Sequence, residues 1–513
     1  MTKKSICFGL CALVLVSSPL HAQAPTLEQQ AAHVLNRLTN GPLPGEVERV
    51  ANMGVQRFIE MQLEPAAIAY PPALTERMAR LATIQRSAGS VAEEFIELRR
   101  DVRDEEEGAR QRRRAGVATI RRETAEARLL RALDSPRQLE EVMVDFWYNH
   151  FNVYEGKGVD RALVASYERD AIRPHAMGAF RTLLGATAKH PAMLFYLDNH
   201  LSTANGYVPD RPRMAGGDTM GMMAAPAPRP HGLNENYARE LMELHTLGVD
   251  GGYTQKDVTE LARMLTGWTY NQRALVRRNE TFTFDPKRHD QGVKTWLGRE
   301  VAPNGQREGE MALDVLAQHP STARHISYKL VQYFVQDKPP AALVERLART
   351  FTESRGDIRA VLRSLFASAE FMAPEAVASK FKTPYQFVLS AVRASGARVD
   401  NVAPLAAAME QLGMALYGCP TPDGYKNTQQ AWLNPEALSR RIAFASALAS
   451  GKLPLASPAD AGEGQMSAPQ LAAARLESTL AGVLSDRTRT VVAASAIPLR
   501  AAMLLGSPDF MQR

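Results

Sequence analysis

The sequence NENYARELMELHTLGVDGGYTQKDVTELARMLTGWT, residues 234–269, indicates most directly how this chain folds. Apolar residues recur in it every three or four positions, which is the period of an amphipathic helix. Asn234 can cap a first helix, and Gly248 marks the end of that helix. Thr254 and Asp257 form a capping-box pattern at the start of a second helix. The segment therefore predicts a helical hairpin.

The same helical period continues over most of the chain on both sides of this hairpin. Two short alternating stretches interrupt it, TFTF at 281–284 and KTWLG at 294–298. Alternation of apolar and polar residues is the pattern of a half-buried strand. We therefore predict a mainly α fold, a multi-helix globular array with one small β-hairpin near 281–298.

The N-terminus has the three parts of a secretory signal peptide. A positively charged start precedes an apolar stretch too short to span a bilayer, and the small residues of a cleavage site follow at 22–24. Because Pro25 is a poor residue directly after a cut, we expect a signal peptide of residues 1–22, with cleavage after Ala24 as the alternative. The pattern predicts a periplasmic or secreted protein, and no later stretch predicts a membrane span.

Composition restricts the classes of function that remain. Loss of the signal peptide would leave Cys419 as the one cysteine of three, so we expect no internal disulfide and a fold that depends on its core. The net charge is +6, with charges of both signs mixed along the chain. Because no basic patch is interleaved with aromatic residues, we expect no nucleic-acid partner.

The mature chain is long enough for a large core. We expect one large helical domain over 25–513, with two lobes, 25–300 and 301–513, as the alternative. Two stretches lack helical periodicity and are rich in glycine, proline or small residues. They predict a mobile loop at 202–232 and a flexible linker at 452–467.

Several long motifs follow one another in the chain. They are FWYNHF (146–151), NENYARELMELHTLGVDGGYT (234–254), DVTELARMLTGWT (257–269), HDQGVKTWLG (289–298) and CPTPDGY (419–425). Through these motifs the chain resembles, nearly end to end, the bacterial exported family called domain of unknown function 1800. The resemblance implies a mainly α fold and export, but no established activity, catalytic residue or cofactor. Genes of that family often lie beside those of an exported, sulfatase-like family, domain of unknown function 1501, which suggests a partner.

The first helix of the hairpin carries charged residues at helical spacing. Arg239 and Glu243 are four residues apart, and Glu240 lies close to them on the same side. One interpretation is a carboxylate-lined wall with an arginine, suited to a metal, to acid–base catalysis or to an anionic group. The other is a salt-bridge ladder that joins this helix to Glu260 and Arg263 of the next one.

Three histidines are candidates for chemistry. His150 ends the FWYNH stripe and can be a general base, a ligand or a core histidine. His245 lies roughly 140° from Glu240 around the helix, which excludes a one-helix metal pair and favours a buried, hydrogen-bonded histidine. His289 and Asp290 stand in a predicted turn, where either catalysis or an Asx turn fits.

The familiar catalytic signatures are missing from the sequence. It contains no GxSxG elbow, phosphate-binding loop, CxxCH haem site or GxGxxG fingerprint. The leading hypothesis is therefore a binding, maturation or assembly factor that acts with another exported protein. The alternative is an extracytoplasmic enzyme, for example a metal-dependent hydrolase, built from the histidines, the arginine and the carboxylates named above. A metal site would require residues distant in sequence to converge, and the sequence identifies neither a metal nor a cofactor.

Overall fold

A computed structural model shows the architecture of the chain, and helix makes up 62% of it, which confirms the mainly α prediction. The predicted signal peptide, most of the predicted loop and most of the predicted linker lie outside the described residues. The described residues are 25–99, 107–208, 232–456 and 470–513.

Short helices joined by tight connections build the N-terminal part of the fold. These helices are α1 (Leu27–Leu38), α2 (Glu46–Met53), α3 (Val55–Leu63), α4 (Pro72–Ala79), α5 (Ala82–Gln85), α6 (Ala88–Leu98), α7 (Glu107–Asp134), α8 (Gln138–His150), α9 (Asp160–Ser166), α10 (Phe180–Lys189) and α11 (Pro191–Tyr196). Single turns of 3₁₀ helix lie at Pro65–Ala67, Arg173–His175 and Asn199–Leu201, and a π-helical turn lies at Tyr167–Ile172.

The middle of the chain holds the predicted hairpin and all the strands of the described residues. Its elements are α12 (Asn236–Glu243), α13 (Gln255–Leu265), β1 (Trp268–Thr269), α14 (Gln272–Arg278), β2 (Thr283–Phe284), β3 (Lys294–Trp296), β4 (Arg299–Val301), α15 (Gln306–Gln318), α16 (Pro320–Phe334), α17 (Ala341–Glu353) and α18 (Ile358–Phe366).

The C-terminal part is again helical. Its elements are α19 (Pro384–Ser395), α20 (Ala403–Gln411), α21 (Gln429–Trp432), α22 (Pro435–Ala449), α23 (Ala473–Thr479), α24 (Asp486–Ala493), α25 (Ile497–Leu505) and α26 (Pro508–Met511). None of the helices described along the chain is long and apolar enough to cross a membrane.

The capping box at the start of α13 forms as the sequence predicts. The Thr254 hydroxyl accepts a hydrogen bond from the Asp257 N–H, and the Asp257 carboxylate accepts one from the Thr254 N–H at 2.8 Å. The first helix of the hairpin is shorter than predicted, because α12 ends at Glu243 and does not continue to Gly248. There the His245 N–H donates to the Glu240 carbonyl, five residues back, so the backbone widens and leaves the α-helical path.

Both predicted strand segments form, but they pair with other segments instead of each other. TFTF contributes β2, which pairs antiparallel with β1, and KTWLG contributes β3, which pairs antiparallel with β4. The single predicted hairpin is therefore replaced by two small two-stranded sheets. Backbone pairing across separate segments depends on tertiary packing, which the alternation of side chains does not encode.

Two large clusters of buried apolar side chains form the core. The first extends from Ala31 in α1 to Tyr417 and contains Trp147 and Trp268, both fully buried. The second joins α4, α5 and the end of α7 to the helices from α19 onward. The division into one domain or two lobes stays a prediction.

Candidate functional site

Two asparagines after the FWY stripe fasten the CPTPDGY loop to the end of α8. The Asn149 amide nitrogen donates to the Tyr425 carbonyl at 2.8 Å, and its oxygen accepts from the Tyr425 N–H at 2.7 Å. Asn152 donates to the carbonyls of Cys419 and Thr421 at 2.9 and 2.8 Å. The two side-chain amides thus supply the backbone hydrogen bonds that a neighbouring strand would otherwise supply, and they fix the position of the loop.

Glycine is required at position 424 of the same loop. Its backbone φ is +69°, in the left-handed region, and a Cβ there would lie 2.2 Å from the Asn149 carbonyl oxygen. The Tyr196 hydroxyl holds the other end of the loop by donating to the Pro420 carbonyl at 2.9 Å. Three separate parts of the chain are thereby joined at one place.

A cluster of three histidines lies next to the end of α8. The ring of His150 is 6.1 Å from that of His245, in the turn after α12, and 6.2 Å from that of His325, in α16. The His150 Nε2–H donates to the His245 carbonyl oxygen at 3.1 Å, and the His325 Nε2–H donates to the Leu244 carbonyl at 3.2 Å. The widened turn after α12 therefore supplies the backbone acceptors for two of the three rings.

Two imidazole nitrogens of this cluster lack a partner among the described residues. They are Nδ1 of His150 and Nε2 of His245, in side chains that are each only 1% exposed. Burial lowers the pKa of His245 to about 3 and that of His325 to about 4, and it lowers the pKa of His150 well below its usual value. Repulsion from Lys329 acts in the same direction, so all three rings are neutral at physiological pH.

Lys329 stands beside the histidines, one helical turn after His325 on α16. Burial lowers its pKa to about 8; the charge of Lys426 lowers it further, while that of Asp423 opposes the shift. Asp423 itself forms an ion pair with Lys426 at 2.6 Å. In the described part of the chain, the Lys329 amine has neither a hydrogen bond nor an ion pair.

The carboxylate face of α12 borders this region. Burial raises the pKa of Glu240, and repulsion from Glu243 and from Asp423 adds to the effect, while Arg239 opposes it. The charge of Asp423, in the CPTPDGY loop, therefore acts on the Glu240 carboxyl. The carboxylates do not form a metal cage, because the described residues include no group of three or more His, Cys, Asp or Glu arranged to hold a metal ion.

Polar contacts join α12 to α13, as the salt-bridge interpretation of the sequence predicts, but Glu260 and Arg263 are not the residues that make them. Arg239 lies 3.4 Å from Glu235 and donates to the Gln255 side-chain oxygen at 2.8 Å. Glu235 accepts from Gln255 and from Thr259, both at 2.7 Å. The predicted partners Glu260 and Arg263 belong to a different network.

His289 lies in a second, fully buried polar group. Its Nδ1–H donates to the Thr266 carbonyl at 2.8 Å, and its Nε2 is 3.0 Å from a carboxylate oxygen of Glu308. The other oxygen of Glu308 is 2.7 Å from the Lys294 ammonium. Burial alone would raise the pKa of Glu308, but hydrogen bonds from Lys294, from the Asn304 backbone and from His289 hold it below its usual value.

Asp290 forms a two-pronged ion pair that ties the HDQG turn to α13. Arg263 donates to both of its carboxylate oxygens at 3.0 Å, and the same guanidinium bonds Glu260 at 2.9 Å. Asp290 also accepts from the Gly292 N–H at 2.9 Å, which is the predicted Asx turn. Burial opposes ionisation of Asp290, but the Arg263 hydrogen bonds keep its pKa low.

A family model described as "Protein of unknown function (DUF1800)" matches residues 33–512. The chain belongs to this family. No curated protein matches it, and no solved structure does. In this DUF1800 protein, then, motifs that are distant in sequence meet in space. The turn after α12 contacts His150 of FWYNHF, and Asn149 of the same motif binds the CPTPDGY loop.

The candidate residues of this DUF1800 protein divide into two groups. His150, Glu240 and Glu243 lie around the histidine cluster and the neighbouring face of α12, whereas His289 and Asp290 belong to the Glu308 and Arg263 networks. Within the described residues no hydrogen bond or ion pair joins the two groups. A catalytic role for any of them stays a prediction.

The sequence of the DUF1800 protein shows no sign that four residues belong to these groups: His325, Lys329, Glu308 and Lys294. His325 and Lys329 are one helical turn apart on α16, a spacing shared by many ordinary helical pairs. Glu308 is the third residue of α15 and bonds the Gly305 N–H at 3.1 Å, so a capping signal was present. Nothing local indicates that Glu308 also meets Lys294.

Proposed function

We propose that this DUF1800 protein is an exported binding or assembly factor that holds another exported protein on its C-terminal helices. Export is proposed from the signal-peptide pattern of the first residues. The observation that carries the binding function is an apolar groove between α22, α24 and α25, about 630 Å³ in volume.

Large apolar side chains line this groove and stay in contact with solvent. Ile442 is 51% exposed, Val491 is 49% exposed and Leu499 is 57% exposed. Scattered apolar residues are normal on a protein surface, but a contiguous group that lines a concavity is typical of an interaction site. A partner that covered these three side chains would gain the free energy of their burial.

The charged side chains that line the groove indicate which charge a partner should carry. Arg487 lines the groove and forms no ion pair with any residue in the described ranges. Asp509, which also lines the groove, is already engaged by the Ser485 hydroxyl and backbone N–H, both at 2.7 Å. The groove therefore fits an apolar segment with a carboxylate side chain placed toward Arg487. We assign that segment to an exported protein of the sulfatase-like family, whose genes often lie beside those of this family.

Calorimetric titration of the mature chain with that sulfatase-like protein tests the proposal. We expect Leu499→Asp to weaken the affinity at least about tenfold, because a charge would replace a buried apolar contact. Val293→Asp is the matched control, since Val293 is 53% exposed and lies outside the groove. Absence of binding by the unsubstituted chain, or an equal loss in the control, would contradict the proposal.

The alternative function is an extracytoplasmic enzyme at the histidine cluster. The observation in its favour is the pair of unpartnered imidazole nitrogens of His150 and His245 beside the Lys329 amine. Metal analysis of the protein purified from cell envelopes tests a metal-dependent hydrolase. A stoichiometric metal that is lost in His150→Ala and His245→Ala would favour the enzyme over the binding factor.

A further inference from the structure

A cavity of about 390 Å³ lies between the hairpin of β3 and β4 and the facing side of α15. Its apolar lining consists of Trp296, Leu297, Val301, Ala302, Met311 and Val315. Sites for small molecules typically measure about 300–1,000 Å³ and combine apolar walls with a few polar groups. The volume and the lining of this cavity therefore suit a small ligand.

The register of the hairpin places Trp296 and Arg299 side by side on one wall of the cavity. The two residues are directly opposite each other in the antiparallel pairing of β3 with β4. Side chains of such a pair leave the backbone about 4.5–5.5 Å apart and on the same face. Both of them line the cavity. One ligand group can therefore contact the indole and the arginine together.

The helix α15 supplies the facing wall. Arg307, Met311 and Val315 follow one another every four residues, so they share one face of the helix. All three line the cavity. Met311 and Val315 are half-buried, whereas Arg307 is exposed near the start of the helix. This wall is therefore apolar along most of its length, with a cation at one end.

Polar groups in the lining lack partners. The Trp296 indole N–H is buried and has no acceptor among the described residues, in a side chain only 2% exposed. Across the same part of the chain, the guanidinium groups of Arg299 and Arg307 form neither a hydrogen bond nor an ion pair. A buried N–H without an acceptor costs free energy, so a ligand that accepts a hydrogen bond would be stabilising here.

The charges of the lining favour an anion. Glu308 lines the cavity, but the buried network described above already holds its carboxylate. Glu300 also lines the cavity, and it alternates with Arg299 along β4, so its side chain starts from the opposite face of the hairpin. Two arginines without ion pairs thus stand against one such carboxylate. One negative charge on a ligand would balance the difference.

We propose that this cavity binds a small organic acid, that is, a carboxylate attached to an apolar group. The carboxylate accepts hydrogen bonds from the Trp296 indole N–H and from the Arg299 guanidinium, and Arg307 attracts it from the facing wall. The apolar group packs on Met311 and Val315. An inorganic anion would leave these two side chains uncovered. The site is independent of the groove proposed for protein binding.

Calorimetric titration of the chain without the proposed signal peptide tests this site. The probes are 3-phenylpropionate and hexanoate, an aromatic and an aliphatic acid. We expect at least one of them to bind with a stoichiometry of one and a Kd below about 1 mM. The uncharged amide of that acid, and acetate, which has almost no apolar group, should bind at least about tenfold more weakly. Absence of binding by both acids at millimolar concentration, or an amide that binds as tightly as its acid, would overturn the proposal.

Substitutions locate the binding. Arg299→Met should weaken it at least about tenfold, because charge-assisted hydrogen bonds are lost, and Arg307→Met by about threefold, because an attraction across solvent is lost. Neither arginine has a partner within the described ranges, so both variants should fold. Arg273→Met is the matched control, since Arg273 is an exposed arginine of α14 outside the cavity. Unchanged affinity in Arg299→Met, or an equal loss in Arg273→Met, would refute the site.

The Trp296 indole provides a readout that does not depend on affinity. Its N–H resonance in the nitrogen–proton spectrum is assigned by its absence from the spectrum of Trp296→Phe. We expect this resonance to shift when the acid is added, whereas those of Trp147 and Trp432, which lie outside the cavity, should not. A Trp296 resonance that stays in place when the bound acid is at saturation would also refute the site.

Discussion

Replacing Glu308 by glutamine should destabilise the folded protein by about 3 kcal/mol. The Glu308 and Lys294 side chains are both 0% exposed and their charged atoms are 2.7 Å apart. Removal of one partner of a buried ion pair typically costs about 3–5 kcal/mol, because the other charge is left without compensation. The lower value applies here, since Asp290 stays 3.7 Å from the Lys294 ammonium.

Urea unfolding at pH 7, followed by circular dichroism, measures this loss. Glu310→Gln is the matched control on the same helix, because Glu310 is 28% exposed and its ion pairs with Arg181 and Lys189 should contribute only about 0–1 kcal/mol. The double variant Glu308→Gln/Lys294→Met should be more stable than the sum of the two single losses predicts, since neither member of the pair is left behind as an unpaired charge. A Glu308→Gln variant as stable as the control, or strictly additive losses, would show that Glu308 and Lys294 do not stabilise each other as a buried ion pair.

The same pair makes a prediction about pH. The pKa of Glu308 is lowered in the folded state, so the folded carboxyl binds fewer protons than the unfolded one in acid. Its stabilisation is fully present above the unfolded pKa of about 4.3 and is lost as the pH falls through the lower folded value. The stability gap between the unsubstituted chain and Glu308→Gln should therefore shrink below about pH 4. A gap that is constant from neutral to acidic pH would contradict the assigned pairing.

Two further predictions concern the histidine cluster and the loop beside it. Gly424→Ala should lower the free energy of unfolding in urea by at least about 2 kcal/mol, because of the left-handed backbone and the clash with Asn149. Gly206→Ala is the control: its φ is +82° but no atom lies within 4 Å, so it should cost only about 1–2 kcal/mol. Equal losses would show that the loop does not pack as described. Lys329 should titrate near pH 8 when its acylation rate is followed against pH, and a midpoint near that of an ordinary lysine, about 10.4, would contradict the burial of its amine.

Much of the local structure could be predicted from the sequence, because its causes are local. Thr254 and Asp257 are three residues apart, and their capping box needs no other part of the chain. The end of α12 could not be predicted, because it depends on a widened turn that directs the His245 carbonyl toward His150. The pairing of β2 with β1 likewise depends on where separate segments pack.

The candidate site shows the same limit. His150 and the CPTPDGY loop could be singled out as motifs, but their meeting depends on contacts across hundreds of residues, such as that between Asn149 and Tyr425. His289 and Asp290 could be recognised as a turn, whereas the burial of Glu308 against Lys294 follows only from packing. An ion pair between residues that are distant in sequence, such as Glu308 and Lys294, leaves no periodic pattern in the sequence. The buried ion pair could therefore not be predicted.

Hydrogen–deuterium exchange of the chain without the proposed signal peptide, measured with and without the proposed sulfatase-like partner, tests the proposed function most directly. We expect slower exchange in α22, α24 and α25, which surround Ile442, Val491 and Leu499. Exchange around the carboxylate face of α12 should be unchanged. Protection at α12 and the CPTPDGY loop, with none at the C-terminal helices, would contradict binding of the partner in the groove.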